Sequence, residues 1–264
     1  MRREVAIIMV LAAALTATAS CSSSKSSNSA ASGASESRRA TSATVTVFAA
    51  SSLQKAFTTL ASQFEADHPG TTVKLNFGAS SALALQIIQG APADVFASAA
   101  PKNMTQVVSA GDASTSTNFV KNVMEIAVPP SNPAGITGLA DLAKRGVKVA
   151  LCQVQVPCGA TADAVFRKAK ITVKPVTLEP DVKSTLAKVE LNEVDAGVVY
   201  VTDVLAAGAK VKGINVAADI NASTEYPIAA LSKASNAAGA QAFVAFVLSA
   251  AGQSALTADG FERP

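Results

Sequence analysis

The chain has 264 residues, of which 22 are Lys or Arg and 19 are Asp or Glu, for a formal net charge of +3. Five of the basic and two of the acidic residues precede position 44, so the remainder carries 17 of each sign. A neutral body lacks the basic face that nucleic-acid binding needs, and one His with three Cys makes no zinc-type ligand set.

Residues 1–20 read as a secretory signal. Arg2 and Arg3 open it, an apolar run over 5–15 is too short to span a bilayer, and Thr18-Ala19-Ser20 leads into Cys21. A cysteine at that point resembles the end of a bacterial lipoprotein signal, in which it becomes the lipidated first residue; Thr18 stands where such signals usually carry Leu. Cys21 is also the odd one out beside Cys152 and Cys158. Residues 21–43 are Ser- and Ala-rich with no apolar period, which suits a flexible tether between an anchor and a folded body.

From position 44, β-rich runs alternate with helical ones. A strand over 44–48 leads into Ala49-Ala50-Ser51-Ser52, after which Leu53, Phe57, Leu60 and Phe64 repeat at helical spacing. Asp67-His68-Pro69-Gly70 is an exposed turn, and the lone His68 has no function there. A strand over 71–77 leads into Gly78-Ala79-Ser80-Ser81 and a helix carrying Leu83, Ile87 and Ile88. Asp94 braces the turn into a strand over 93–98, and Pro101 suits the first turn of a helix over 101–110. Further strands are expected over 123–128, 147–151, 172–178, 196–200 and 226–231, and helices over 139–145, 159–170, 181–191 and 236–250. This alternation predicts an α/β body with a mainly parallel sheet, whose ligands bind at the C-terminal ends of the strands.

The junctions hold the chemistry. A small hydroxyl residue between strand and helix can cap the helix and leave backbone N–H groups pointing outward at the positive end of its dipole. Two such starts, at Ser51-Ser52 and Ser80-Ser81, facing one cleft would bind an anion without Lys or Arg. Val156-Pro157-Cys158-Gly159 starts another helix and, alone, reads as a plain helix entry. Asp181 reads as an N-cap that leaves the Val182 N–H free. Tyr200, at a strand end, either aims its hydroxyl into a cleft or caps a neighbouring carbonyl in the core. In an exported chain Cys152 and Cys158 can form a disulfide; the alternative is two buried thiols. Enzyme readings fare poorly. There is no Gly-x-Ser-x-Gly elbow with a usable histidine, no phosphate loop and no dinucleotide fingerprint.

Taken together, Val47-Phe48-Ala49-Ala50-Ser51-Ser52-Leu53, Gly90-Ala91-Pro92-Ala93-Asp94, Val156-Pro157-Cys158-Gly159, Pro180-Asp181-Val182, Gly197-Val198-Val199-Tyr200 and Glu225-Tyr226-Pro227 resemble the molybdate-binding proteins of bacterial ABC importers, within the type II periplasmic-binding-protein superfamily. The resemblance runs from Val45 nearly to the C-terminus. It implies two doubly wound α/β lobes joined by two crossing strands, with lobe I over 44–122 plus 225–264 and lobe II over 123–224. Carried across by position, the oxyanion ligands fall on Ser52, Ser80, Cys158, Val182 and Tyr200, with Ser51 and Ser81 as neighbours. Molybdenum would then be held only as molybdate, with tungstate also bound and no cofactor. A receptor for another oxyanion, such as sulfate, on the same fold is the alternative. The implied protein is a monomeric, non-enzymatic extracytoplasmic receptor, held to the membrane through Cys21, that delivers its ligand to an ABC permease.

Overall fold

The computed structural model describes residues 43–264; the signal, Cys21 and the tether up to position 42 lie outside the described residues. Strand β1 (Ala43–Ala50) passes through a 3-10 turn (Ser51–Leu53) into α1 (Gln54–Asp67). Then follow β2 (Thr71–Gly78), α2 (Ser80–Ile88), β3 (Val95–Ala97), α3 (Pro101–Ser109) and the long β4 (Thr117–Val128). After a 3-10 turn at Leu139–Ala143 come β5 (Val149–Cys152), α4 (Pro157–Ala169), β6 (Thr177–Glu179), α5 (Val182–Glu190), β7 (Ala196–Tyr200) and α6 (Val201–Ala207). The chain ends with β8 (Lys212–Asn215), β9 (Ser223–Ala230), α7 (Ala237–Leu248) and α8 (Ala250–Ala258).

The strands follow the order β2-β1-β3-β9-β4-β7-β5-β6, with β8 paired to β4. The outer groups are parallel, β1 with β2 and β3, and β5 with β6 and β7. Every pairing of β4 and β9 is antiparallel, so the sheet is mixed and not mainly parallel. Over Thr117 to Val123, β4 pairs with β9; from Met124 to Val128 its partners are β7 and β8. One strand therefore serves two parallel groups, and a strand that leaves one group to enter the other has no neighbour running its own way.

Burial follows from the strand period. Val45, Val47 and Ala49 of β1 join Phe57, Leu60 and Phe64 of α1 and Phe243 of α7 in one apolar cluster. Phe48, on the opposite face of β1, joins Leu83, Phe96, Met104 and Val107 in another. The first group is thus covered on both faces. Phe64 meets Phe243 edge-on at 5.2 Å, and each such ring contributes about 2–3 kcal/mol by leaving water. A third cluster runs from Met124 to Ala222 and includes Val149, Val165, Leu186 and Val198. Asp94 is a brace, but between distant elements and not within its own turn. Its carboxylate accepts from the Thr46 N–H (2.7 Å), the Asn236 N–H (3.1 Å) and the Ser235 hydroxyl (3.0 Å), tying β1 to the entry of α7.

Several elements differ from the sequence expectation. The helix expected over 139–145 is only a 3-10 turn, cut short by extended Lys144 and by Gly146 at φ +91°. The strand expected over 172–178 shrinks to Thr177–Glu179 because Pro175 has no N–H for a ladder. The helix expected over 236–250 breaks at Ser249, whose hydroxyl accepts from the Gly252 N–H and starts α8. β8 and α6 are additional elements.

Candidate functional site

Four helix starts meet at one cavity. Its walls are Ala50, Ser51, Ser52, Gly78, Ala79, Ser80 and Ala99 on one side, and Val156, Pro157, Cys158, Asp181, Val182 and Tyr200 on the other. The cavity is small, with room for one compact polar group and not for an organic ligand of drug size.

The helix starts bring backbone N–H groups without intrahelical acceptors to the cavity wall. The first intrahelical bonds run from Leu83 N–H to Ala79 O in α2, from Ala160 N–H to Val156 O in α4, and from Thr185 N–H to Asp181 O in α5. The amides of Ser80, Cys158 and Val182 precede those bonds and have no acceptor within their helices. None of the lining residues is basic, so positive potential there comes from helix ends. Asp181 is the one acid, and it is turned away: its Oδ1 accepts from the Ser184 N–H at 2.9 Å as the cap of α5.

The serines do not cap. Ala50 and Ala79 occupy the cap positions, and neither start has a side-chain cap. Ser52 Oγ instead lies 2.9 Å from the Tyr226 hydroxyl, and Ser80 Oγ accepts from the Ala99 N–H at 2.9 Å. Ser51 lines the cavity with Ser52. Ser81 does not line it, because each helical step turns the next side chain by about 100°.

Tyr200 is 1% exposed, and its hydroxyl makes no hydrogen bond of good geometry to any described residue. A buried tyrosine hydroxyl ordinarily finds a partner; this one sits in the cavity wall without one. Burial pushes its pKa well above the ordinary tyrosine value, while the nearby Thr161 hydroxyl pulls the other way, so the group stays protonated as a donor. The Tyr200 N–H donates to Asp203 Oδ2 at 3.2 Å. Asp203 is fully buried, and its other oxygen is 2.8 Å from Lys183 Nζ. Burial raises the Asp203 pKa, against the pull of Lys183.

Cys152 and Cys158 are joined by a disulfide. It ties the end of β5 to the first turn of α4, and Cys152 Sγ lies 3.3 Å from Thr185 Oγ1 of α5. Gly159 is required behind it, since a Cβ there would lie 2.0 Å from Gln153 O. Sequence reasoning gave no role to Tyr226, Ala99 or Thr161; Glu225-Tyr226-Pro227 is among the motifs behind the resemblance, and nothing local marks the other two. Tyr226 is 174 positions from Ser52, and the Ala99 donor is a main-chain N–H.

Residues 45–262 match the family model described as bacterial extracellular solute-binding protein. The chain is 42% identical over 221 residues to a protein of Mycobacterium tuberculosis named molybdate-binding protein ModA, covering 83% of this chain and 85% of that one. A Bacillus subtilis protein, YvgL, that carries the name of an ABC transporter substrate-binding lipoprotein is 36% identical over 191 residues, 70% of this chain and 72% of its own. The periplasmic molybdate-binding protein of Azotobacter vinelandii shares the fold with a TM-score of 0.75 at 20% identity, over 83% of this chain and 99% of that one. A family model that spans the described body, joined to relatives matched over most of their own length, is decisive: the chain belongs to the bacterial extracellular solute-binding protein family.

Proposed function

We propose that this chain is an extracytoplasmic receptor that binds molybdate, and tungstate with it, and delivers the anion to an ABC importer. The observation that carries the reading is the unpartnered, protonated Tyr200 hydroxyl in a small cavity lined by helix starts and free of basic side chains. The name and identity of the Mycobacterium tuberculosis relative support it. In this reading Ser52 and Ser80 give hydroxyl donors from one side, Cys158 and Val182 give main-chain N–H groups from the other, and Tyr200 closes the set. A fully deprotonated dianion accepts at every oxygen and donates none, so a donor-only pocket suits it and offers no acceptor to a protonated phosphate. Sulfate is also a bare tetrahedral dianion and is excluded by size, being smaller than molybdate.

The two-lobe division, 44–122 plus 225–264 against 123–224, is part of the same proposal. It draws support from the separate apolar clusters and from the change of partners along β4 between Val123 and Met124. Anchoring through Cys21 agrees with the lipoprotein name of the Bacillus subtilis relative. The receptor acts as a monomer that performs no chemistry on its ligand.

Calorimetric titration of the purified protein with molybdate, tungstate, sulfate and phosphate tests the reading. One-to-one binding of molybdate and tungstate with little heat from the other two is the expected result. Preference for sulfate would overturn the ligand and keep the fold; heat from none of the four would overturn the oxyanion site itself.

A further inference from the structure

We propose that Tyr226 is a positioning residue for the ligand site: its hydroxyl donates to Ser52 Oγ and thereby turns the Ser52 proton into the cavity. This rests on the oxyanion-receptor reading and deepens it, because it makes the protonation selectivity of the pocket depend on a residue outside its wall.

A serine hydroxyl carries one proton and two lone pairs. With its oxygen unoccupied it can rotate and accept a proton from a ligand O–H as readily as it donates to a bare oxyanion. In the two cavity serines one lone pair is already occupied, which favours donation. Ser80 Oγ is held by the Ala99 main-chain N–H at 2.9 Å, which can only donate, so the Ser80 proton is left for the cavity. Ser52 Oγ has the Tyr226 hydroxyl at 2.9 Å, and both side chains are buried. The direction of that bond is set from behind. Asn122 lies close enough to the Tyr226 hydroxyl to act on it. Its carbonyl oxygen accepts from the Val123 N–H at 3.0 Å and one hydrogen of its NH2 goes to Thr202 Oγ1 at 2.7 Å, which leaves the second NH2 hydrogen as the group offered to Tyr226. The Tyr226 oxygen then accepts from Asn122, and its single proton goes to Ser52. Two serines from different turns are each backed by a buried donor, and the outcome at both is a hydroxyl that gives.

Tyr226 is not among the residues lining the cavity, so its influence on ligand passes through a wall residue; its hydrogen bond of good geometry singles out Ser52, and its hydroxyl also acts on that of Tyr200. Its ring also packs against Tyr200 at 6.1 Å and Phe261 at 5.6 Å, and Tyr226→Phe keeps that packing while removing the donor. The experiment is a double-mutant cycle by calorimetry on the full chain: wild type, Tyr226→Phe, Ser52→Ala and the double variant, each titrated with molybdate and with phosphate near neutral pH. Tyr226→Phe is expected to weaken molybdate binding about tenfold and to narrow the preference over phosphate by a similar factor. The double variant is expected to bind no more weakly than Ser52→Ala. A loss that persists in the Ser52→Ala background would overturn the proposal in favour of packing, as would wild-type affinity and selectivity in Tyr226→Phe. Should that variant fail to fold, Asn122→Ala in the same cycle carries the test, because it removes the group that fixes the Tyr226 proton; its effect is expected to vanish without the Ser52 hydroxyl, and a persisting effect overturns the proposal. Absence of oxyanion binding by the wild type would overturn the receptor reading itself, and this one with it.

Discussion

At the scale of single residues, Tyr200 separates binding from stability. Its hydroxyl is buried without a partner, so Tyr200→Phe removes a group that contributes little to the folded state and, in the proposed site, one donor to the ligand. Molybdate affinity is expected to fall by about tenfold to a hundredfold, about 1–3 kcal/mol, with a melting temperature equal to or above that of the wild type. Unchanged affinity by calorimetry would remove Tyr200 from the site. The raised pKa keeps this donor protonated, so affinity is expected to hold from about pH 7 to about pH 10, where an ordinary tyrosine begins to ionise. Gly159→Ala should behave in the opposite way. Its Cβ would meet Gln153 O at 2.0 Å, main chain that cannot swing aside, so the first turn of α4 must shift. A stability loss of about 1–3 kcal/mol is expected together with weaker binding; a variant with wild-type melting and affinity would show that the turn absorbs the methyl. The strand–helix junctions were legible in the sequence, and the resemblance carried the expected ligand positions onto Ser52, Ser80, Cys158, Val182 and Tyr200, which the structure gathers around one cavity. The sequence did not reveal what the serine hydroxyls do, because their partners are a side chain 174 positions away and a main-chain N–H on another strand end.

At the scale of elements, the periodic signals were legible where they coincided with burial. α1 carries Phe57, Leu60 and Phe64 toward one cluster, and β7 is a buried apolar run that begins and ends where its sequence suggests. β8 is a four-residue edge with exposed ends and a central glycine, so neither alternation nor an apolar run marks it. The break between α7 and α8 is a capping event at Ser249, invisible to a pattern that stays apolar across it. The disulfide belongs to this scale because it joins elements. It fastens β5 to the start of α4, next to the Cys158 N–H that the proposed site uses. Opening it is expected to cost about 2 kcal/mol of global stability, the chain-entropy value for so short a loop, and to lower molybdate affinity by about tenfold as the α4 start loosens. Calorimetry and thermal melting with and without a reductant check both. Weaker melting with unchanged affinity would mean that Gly159 packing and the Thr185 contact hold the α4 start without the bridge.

At the scale of the whole molecule, strand pairing was the least legible property, since β4 and β9 meet across about a hundred positions and no local pattern encodes that meeting. The pairing matters because it makes the connection between the proposed lobes short and specific. Where β4 changes partners, the Asn221 side chain clasps the main chain of Met124, donating to its carbonyl at 2.9 Å and accepting from its N–H at 3.2 Å. Bending confined to that crossing would let two separately cored halves move as bodies while the cavity walls part between Ser52 and Ser80 on one side and Cys158, Val182 and Tyr200 on the other. A ligand that touches both walls stabilises the joined arrangement and shifts the equilibrium toward it. Two observables follow together. Molybdate at about a hundred times its dissociation constant should stabilise the fold by about 2.7 kcal/mol, with the gain rising logarithmically thereafter. The radius of gyration in solution scattering should fall over the same titration. Asn221→Ala should enlarge the scattering change by relaxing the unliganded form. Stabilisation with a constant radius in both proteins would mean that the halves are already fixed against each other before ligand arrives, and that the β4–β9 crossing acts as a strut.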